Sequence, residues 1–177
     1  HLATRHGAGL FDGSHMLQVE LSGNGADAFF ERLTPTNIGA VAEGRVRYSM
    51  LLNDSGGVLD DLMVARLDGR LHLVVNAGRA AHDIGHLRQN IDDSTKIDVH
   101  HDKALLALQG PKAAQVLSCL GLDLDGFRFM DIRHFTLGTT PLVITRSGYT
   151  GEDGFEISMP ANAAVDTAKT LAATGDV

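Results

Sequence analysis

Tryptophan is missing from this sequence of 177 residues, and cysteine occurs once. A lone thiol, Cys119, cannot close an internal disulfide or build a multi-cysteine metal site, which disfavours a secreted, stapled fold. No apolar run reaches the ~18–20 residues that cross a bilayer, so a membrane span is excluded. Basic residues are in deficit, 15 against 22 acidic, for a net charge of −7. Such a chain repels nucleic acid and anionic lipid, and neither is expected as a partner. Neither G-x-G-x-x-G nor G-x-x-x-x-G-K-[ST] occurs, and there is no G-x-S-x-G elbow, so the common nucleotide cradles and the serine-hydrolase turn have no support. No charged segment followed by an apolar core opens the sequence, and no targeting peptide is expected. His1 at one end and Thr174-Gly175-Asp176-Val177 at the other give the expectation that the sequence is a piece of something longer.

What remains is ordinary globular composition, 44% apolar and 21% charged, with short strands and helices interspersed. Leu17, Val19 and Leu21 alternate with Gln18 and Glu20, the period of a half-buried strand. Ala26, Phe29, Phe30 and Leu33 follow at helical spacing. A strand is expected over residues 45–52, with a turn at 53–57. Residues 62–66 and 71–75 flank Leu67-Asp68-Gly69-Arg70, and Asp-Gly between two β-prone runs predicts a hairpin. Ile84, Leu87 and Ile91 mark one face of a helix. Residues 104–108 read as a strand, Pro111 as a first helical residue, and Ala113, Val116, Leu117 and Leu120 as the inner stripe of a helix capped at Gly121. Strands at 141–145 and 155–159 surround a glycine-rich turn, and Ala164, Ala168, Leu171 and Ala172 predict a last helix. The fold class is α+β, with mixed, largely antiparallel sheets and packed helices.

Candidate chemistry is sparse. His82 and His86 stand four apart on a helix, a spacing able to grip an ion. They lack the glutamate of H-E-x-x-H, so solvated histidines and no metal site are expected. His100 and His101 are adjacent and, if on a strand, would point to opposite faces. Cys119, among Val116, Leu117 and Leu120, reads as a buried, inert thiol. Asp60 and Asp61 follow a glycine turn and enter the run Leu62-Met63-Val64; only one of two adjacent residues turns inward, and a carboxylate at a strand start is usually solvated. The segment at residues 146–156 holds three glycines that let backbone approach a ligand, the aromatic face of Tyr149, and acidic acceptors. Glu156, between Phe155 and Ile157, falls on the opposite face of its strand from both. An exposed polar turn is the ordinary reading of that segment.

Five segments, at residues 10–16, 53–62, 73–77, 107–111 and 146–156, occur in an order and at a spacing that resemble the glycine cleavage system T-protein, a tetrahydrofolate-dependent aminomethyltransferase. The resemblance covers essentially the whole chain. It implies an incomplete folate-binding region over residues 1–177, lacking the family's C-terminal barrel, with Gly13 departing from the family's usual valine. It further implies Asp61 as the catalytic aspartate beside the reacting folate nitrogens, and Glu156 as the partner of the pterin's amino-pyrimidinone edge. Tyr48 and Tyr149 match aromatic positions of the folate pocket, and Met63 and Asn76 fall at pocket positions. Asp61 and Glu156 are expected to converge on one cavity. The partner implied is a lipoyl carrier, the H-protein, whose aminomethyl group passes to folate with release of ammonia. A bacterial cytoplasm, or a mitochondrial matrix, would be the compartment. The chain alone is expected to turn over weakly or not at all. Related folate domains of dimethylglycine- and sarcosine-oxidising enzymes, and a non-catalytic fragment, are the alternative readings. The Lys-Gly-Cys signature of a relative in iron–sulfur assembly is absent.

Overall fold

The computed structural model describes residues 1–175. In chain order the elements are α1 (Leu2–His6), β1 (Gly9–Asp12), β2 (Leu17–Ser22), α2 (Ala26–Leu33), β3 (Arg45–Leu52), β4 (Val58–Leu67), β5 (Arg70–Val75), α3 (Ala80–Asn90), β6 (Lys96–His100), β7 (Lys103–Gln109), α4 (Ala113–Cys119), β8 (Ile132–Leu137), β9 (Thr140–Thr145), β10 (Gly154–Pro160) and α5 (Ala164–Ala172). They fall into two compact units. One runs from Met16 to His101; the other joins residues 1–15 to the chain from Asp102 onward. Each holds a five-stranded sheet, in the order β3-β4-β5-β2-β6 and β1-β7-β10-β9-β8 respectively. Every strand pairing among the described residues is antiparallel, so the α+β class stands.

In the 16–101 unit, Val19, Leu21, Leu62, Val64, Leu71, Leu73 and Val75 form one sheet face, and Phe29, Phe30, Ile84 and Leu87 of α2 and α3 pack on it. The β4–β5 hairpin turns at Asp68 and Gly69, with φ of 55° and 69°. Two successive positive φ values make the type I′ turn that matches strand twist, which is why Asp-Gly is legible there. In the other unit, Ala113, Val116 and Leu117 of α4 and Leu171 of α5 cover Leu106, Leu108, Leu142, Ile144, Phe155 and Ile157. Leu122 N–H bonds to Leu117 O and Gly121 N–H to Ser118 O, the paired bonds that close a helix whose next residue is glycine.

Several expectations need correction. Strand β4 begins at Val58, so Asp60 and Asp61 lie within a paired strand rather than at its solvated start. Gln18 and Glu20 are buried like their apolar neighbours. Strand β2 is central, between β5 and β6, and cross-strand Arg70 and His72 answer Glu20 at 2.7 and 3.7 Å. Cys119 is exposed; it sits roughly 110° round the helix from the centre of the apolar stripe, at the end of α4. Ile91 is the residue after α3 and 39% exposed. Pro111 lies in the turn before α4, whose N-cap is Lys112. The pattern does not predict α1, β1, β6 or β8, all of them elements of four to six residues.

Candidate functional site

Across β1, β7, β10 and β9 the register aligns Phe11, Ala107, Glu156 and Thr145 in one row. Side chains alternate along a strand, so this row lies on the face opposite α4 and α5, as the buried neighbours Phe155 and Ile157 require. A methyl group at Ala107 leaves a gap between two large side chains. The gap is a cavity of about 190 Å³ lined by Phe11, Ala107, Gln109, Gly148, Tyr149, Thr150 and Glu156.

Gln109, at the end of β7, is buried and fixes the loop over this cavity. Its amide donates to Ser147 O at 2.9 Å and Phe155 O at 3.3 Å, and its carbonyl accepts from Thr150 Oγ1 at 3.3 Å. A Cβ at Gly148 or Gly154 would lie 1.8 or 2.4 Å from the end of the Gln109 side chain, so a larger residue at either place would push the amide out of these hydrogen bonds. The loop's ends are clamped by Arg146, which forks onto Asp153 at 2.9 and 2.6 Å, donates to Phe127 O, and lies over the Phe155 ring at 5.4 Å. Gln109 falls within the 107–111 segment of the sequence, where no role is expected of it. An amide closing an apolar strand immediately before Gly-Pro was the available signal.

Glu156 is half-buried. Ser147 Oγ donates to its Oε2 at 3.0 Å, and Thr145 Oγ1 reaches the same oxygen at 3.5 Å. Burial raises its pKa, while the two hydroxyls pull it down. Both of these donors are on one oxygen, so Oε1 is the acceptor available to an incoming N–H. Tyr149 is 71% exposed on the loop.

The 16–101 unit places Asp61 differently. Register sets Asp61 opposite Met50 and Met63 opposite Tyr48, so Asp61, Met63 and Tyr48 share the sheet face opposite α2 and α3. The Tyr48 hydroxyl hydrogen-bonds Asp61, and this bond, then desolvation and the charges of Asp61 and Asp60, raises the phenol's pKa. Asn76, just beyond β5, donates from Nδ2 to Asp61 Oδ1 at 3.0 Å, Asp61 O at 3.0 Å and Asp60 Oδ1 at 3.2 Å. Met63 is buried beside this group and Tyr48 is half exposed. Tyr48, Asp61, Met63 and Asn76 are thus brought together, as are Tyr149 and Glu156.

His82 and His86 line an open cavity on α3, but His82 faces Asp83, with Nδ1 3.4 Å from Oδ1. Among the described residues no three His, Cys, Asp or Glu side chains gather as a metal cage. None of the described helices is long and apolar enough to cross a membrane.

The chain is 42% identical to a mitochondrial aminomethyltransferase of Saccharomyces cerevisiae over 98% of its own length, and 40% identical to an aminomethyltransferase of Exiguobacterium sibiricum over 91%. Its fold superposes on the glycine cleavage system aminomethyltransferase T of Bartonella henselae with a TM-score of 0.87 at 42% identity, over 96% of this chain. The chain spans about half of these relatives, 46% of each. Relatives include mitochondrial and bacterial proteins alike. The family profile described as the GCVT N-terminal domain matches residues 1–177, and the chain belongs to that family.

Proposed function

We propose that this chain is the tetrahydrofolate-binding part of an aminomethyltransferase of the glycine cleavage system, taking an aminomethyl group from a lipoyl carrier protein with release of ammonia. The observation that carries the reading is the cavity beside Tyr149, with a half-buried carboxylate in its lining and one carboxylate oxygen open to a donor. At about 190 Å³ it is smaller than the roughly 300–1,000 Å³ of whole-ligand sites, and fits a flat ring system rather than an entire folate. The pterin's amino-pyrimidinone edge presents parallel N–H donors, which a carboxylate accepts as it accepts an arginine fork. Glu156 takes that edge, and Tyr149 supplies an apolar wall.

Bound folate supplies the nitrogen that receives the one-carbon unit. Asp61 orients that nitrogen and steadies positive charge developing beside it, held for this work by Asn76 and Tyr48, with Met63 packed alongside. A bacterial cytoplasm or a mitochondrial matrix suits the reaction. Because the chain spans 46% of its relatives, weak ammonia release by the chain alone is expected even where folate binds.

Calorimetric titration of the chain with tetrahydrofolate tests the reading. Glu156→Gln preserves size and removes charge, and a lost bond to a charged group costs roughly 1.5–3 kcal/mol, a loss of about 10–100-fold in affinity. In a chain extended to its relatives' length, Asp61→Asn lowers ammonia release by roughly 10²–10⁴-fold. Equal affinity of wild type and Glu156→Gln rejects the proposal.

A further inference from the structure

Behind Asp61 lies a second pair of acids that the proposed chemistry does not use. Asp83, in the first turn of α3, is completely buried. Asp60 alternates with Asp61 and so turns to the helix side of the sheet, where its side chain is in hydrogen-bonding reach of Asp83. Asp60 Oδ2 and Asp83 Oδ2 are both buried, and neither meets a donor among the protein's groups. The other oxygens are engaged: Asp60 Oδ1 accepts from Asn76, and Asp83 Oδ1 faces His82. Two ionised carboxylates have only acceptors to offer each other. Packed together out of water, they are stable neighbours only when a proton lies between them.

We propose that Asp60 and Asp83 share one proton, and that Asn76 transmits the presence of that proton to Asp61, which makes Asp83 a positioning residue for the reaction. The inference deepens the folate reading and rests on it for the role of Asp61. Asn76 has two amide hydrogens and three acceptors, Asp60 Oδ1, Asp61 Oδ1 and Asp61 O. With the proton in place, Asp60 already has a donor at Oδ2, and the amide is free to hold Asp61. Without it, Asp60 and Asp83 both carry charge, and the amide is drawn towards Asp60 at the expense of Asp61. The titratable and charged groups around the pair are Asp61 on the same strand, Tyr48 on β3, His82 on α3, and Arg79, whose guanidinium donates to Leu59 O. Burial first, then the bond with Asp60, raises Asp83 to about 6, with His82 opposing the rise. The pair therefore changes state within a range accessible to solution experiments.

The test is a pH titration of the chain by NMR, following side-chain carboxyl carbons and the Asn76 amide from pH 4 to 8. Asp83 is expected to titrate near pH 6, with the Asp60 and Asp61 carboxyl signals and the Asn76 amide signals responding at that same midpoint. In Asp83→Asn the new amide donates to Asp60 permanently, so that common midpoint disappears and the Asn76 signals stay at their low-pH positions. Asp60→Asn, should the first variant fail to fold, likewise abolishes it. Independent titration of the two acids in the ordinary carboxylate range, or Asn76 signals that ignore the transition, overturns the proposal. A tetrahydrofolate arm separates the two readings. If folate shifts the Asp61 and Asn76 signals of wild type, its affinity should follow the same midpoint and lose that pH dependence in Asp83→Asn. If the shared titration is present and folate moves neither signal, the proton pair stands and the folate reading fails.

Discussion

In the unit that carries Glu156, the acid sits on the sheet face opposite its helices and is answered by two hydroxyls. In the unit that carries Asp61, the acid sits on the equivalent face of a second five-stranded sheet and is answered by an amide and a phenol. Placement is the same: helices cover one face, and the carboxylate projects from the other. Supply of donors is what differs. Glu156 borders a cavity whose donors are small and local, so its charge is controlled by burial. Asp61 stands in a chain of groups that runs through Asn76 to a second acid, so its surroundings depend on protons held elsewhere. The first arrangement suits recognition of a fixed ligand edge, and the second suits chemistry in which charge changes.

The sharpest way to break the comparison is to damage each core equally and ask which site notices. Phe155 and Phe29 are both fully buried, one stacked near Phe127 with ring centroids 6.1 Å apart, the other on α2. Phe→Ala at either position costs about 3–5 kcal/mol in urea denaturation. Phe155 adjoins Glu156 in β10, whereas Phe29 lies on the helix side of the other sheet. Phe155→Ala should therefore also weaken tetrahydrofolate binding under conditions where the protein remains folded, while Phe29→Ala at matched stability should leave the Tyr48–Asp61 bond intact. Equal effects on affinity would show that the cavity is not shaped by its own core.

Next in size is a difference in pH response. Both Asp83 and Glu156 have raised pKa values in the folded state. For an acid the stability linked to such a shift is fully present below the unfolded value and is lost as pH climbs through the folded one. For Asp83 the window runs from 3.8 to about 6, and at ~1.36 kcal/mol per unit the loss is at most about 3 kcal/mol. Asp83→Asn does not titrate, so its stability relative to wild type should rise across that window and level off above it. Glu156→Gln should show the same sign, starting above pH 4.5. Denaturation midpoints at pH 4 and pH 7.5 read both. A wild type that gains stability over Asp83→Asn as pH rises would contradict burial of an uncompensated charge.

How far these features were legible in the sequence follows from how local they are. The Asp-Gly hairpin, the helix stripe from Ala113 to Leu117 and the position of Glu156 between two core residues are set by neighbours within a few positions, and the structure has them where the pattern puts them. Asp61 and Glu156 stood out through motifs resembling a known family. Asp83 did not, because nothing near it in sequence marks an acid as buried; its partner is Asp60, which reaches it only once α3 has packed on β4. The burial of Glu20 is hidden in the sequence for the same reason. Alternation says which side of a strand a residue takes, and it is silent about the Arg70 and His72 that cover that side.

The smallest effect expected here concerns two arginines that look alike. Arg66 forks onto Asp27 at 3.1 and 2.8 Å and donates to Val41 O and Ile38 O. Arg146 forks onto Asp153 and donates to one carbonyl, Phe127 O. Lysine keeps the charge and loses the planar fork, so it cannot serve all of these acceptors at once. Arg66 is the more deeply placed side chain, 15% exposed against 26% for Arg146, and Arg66→Lys strands more backbone oxygen. Its cost should be about 1–2 kcal/mol, with roughly 1 kcal/mol for Arg146→Lys. Folate affinity should rank them the other way. Arg66 joins β4 to α2 on the helix side of its sheet, but Arg146 and Asp153 clamp the ends of the loop that holds Tyr149 over the cavity. If both substitutions changed stability alone, that loop would be held by Gln109 without help from the fork, and the wall beside Glu156 would be set by a single buried amide.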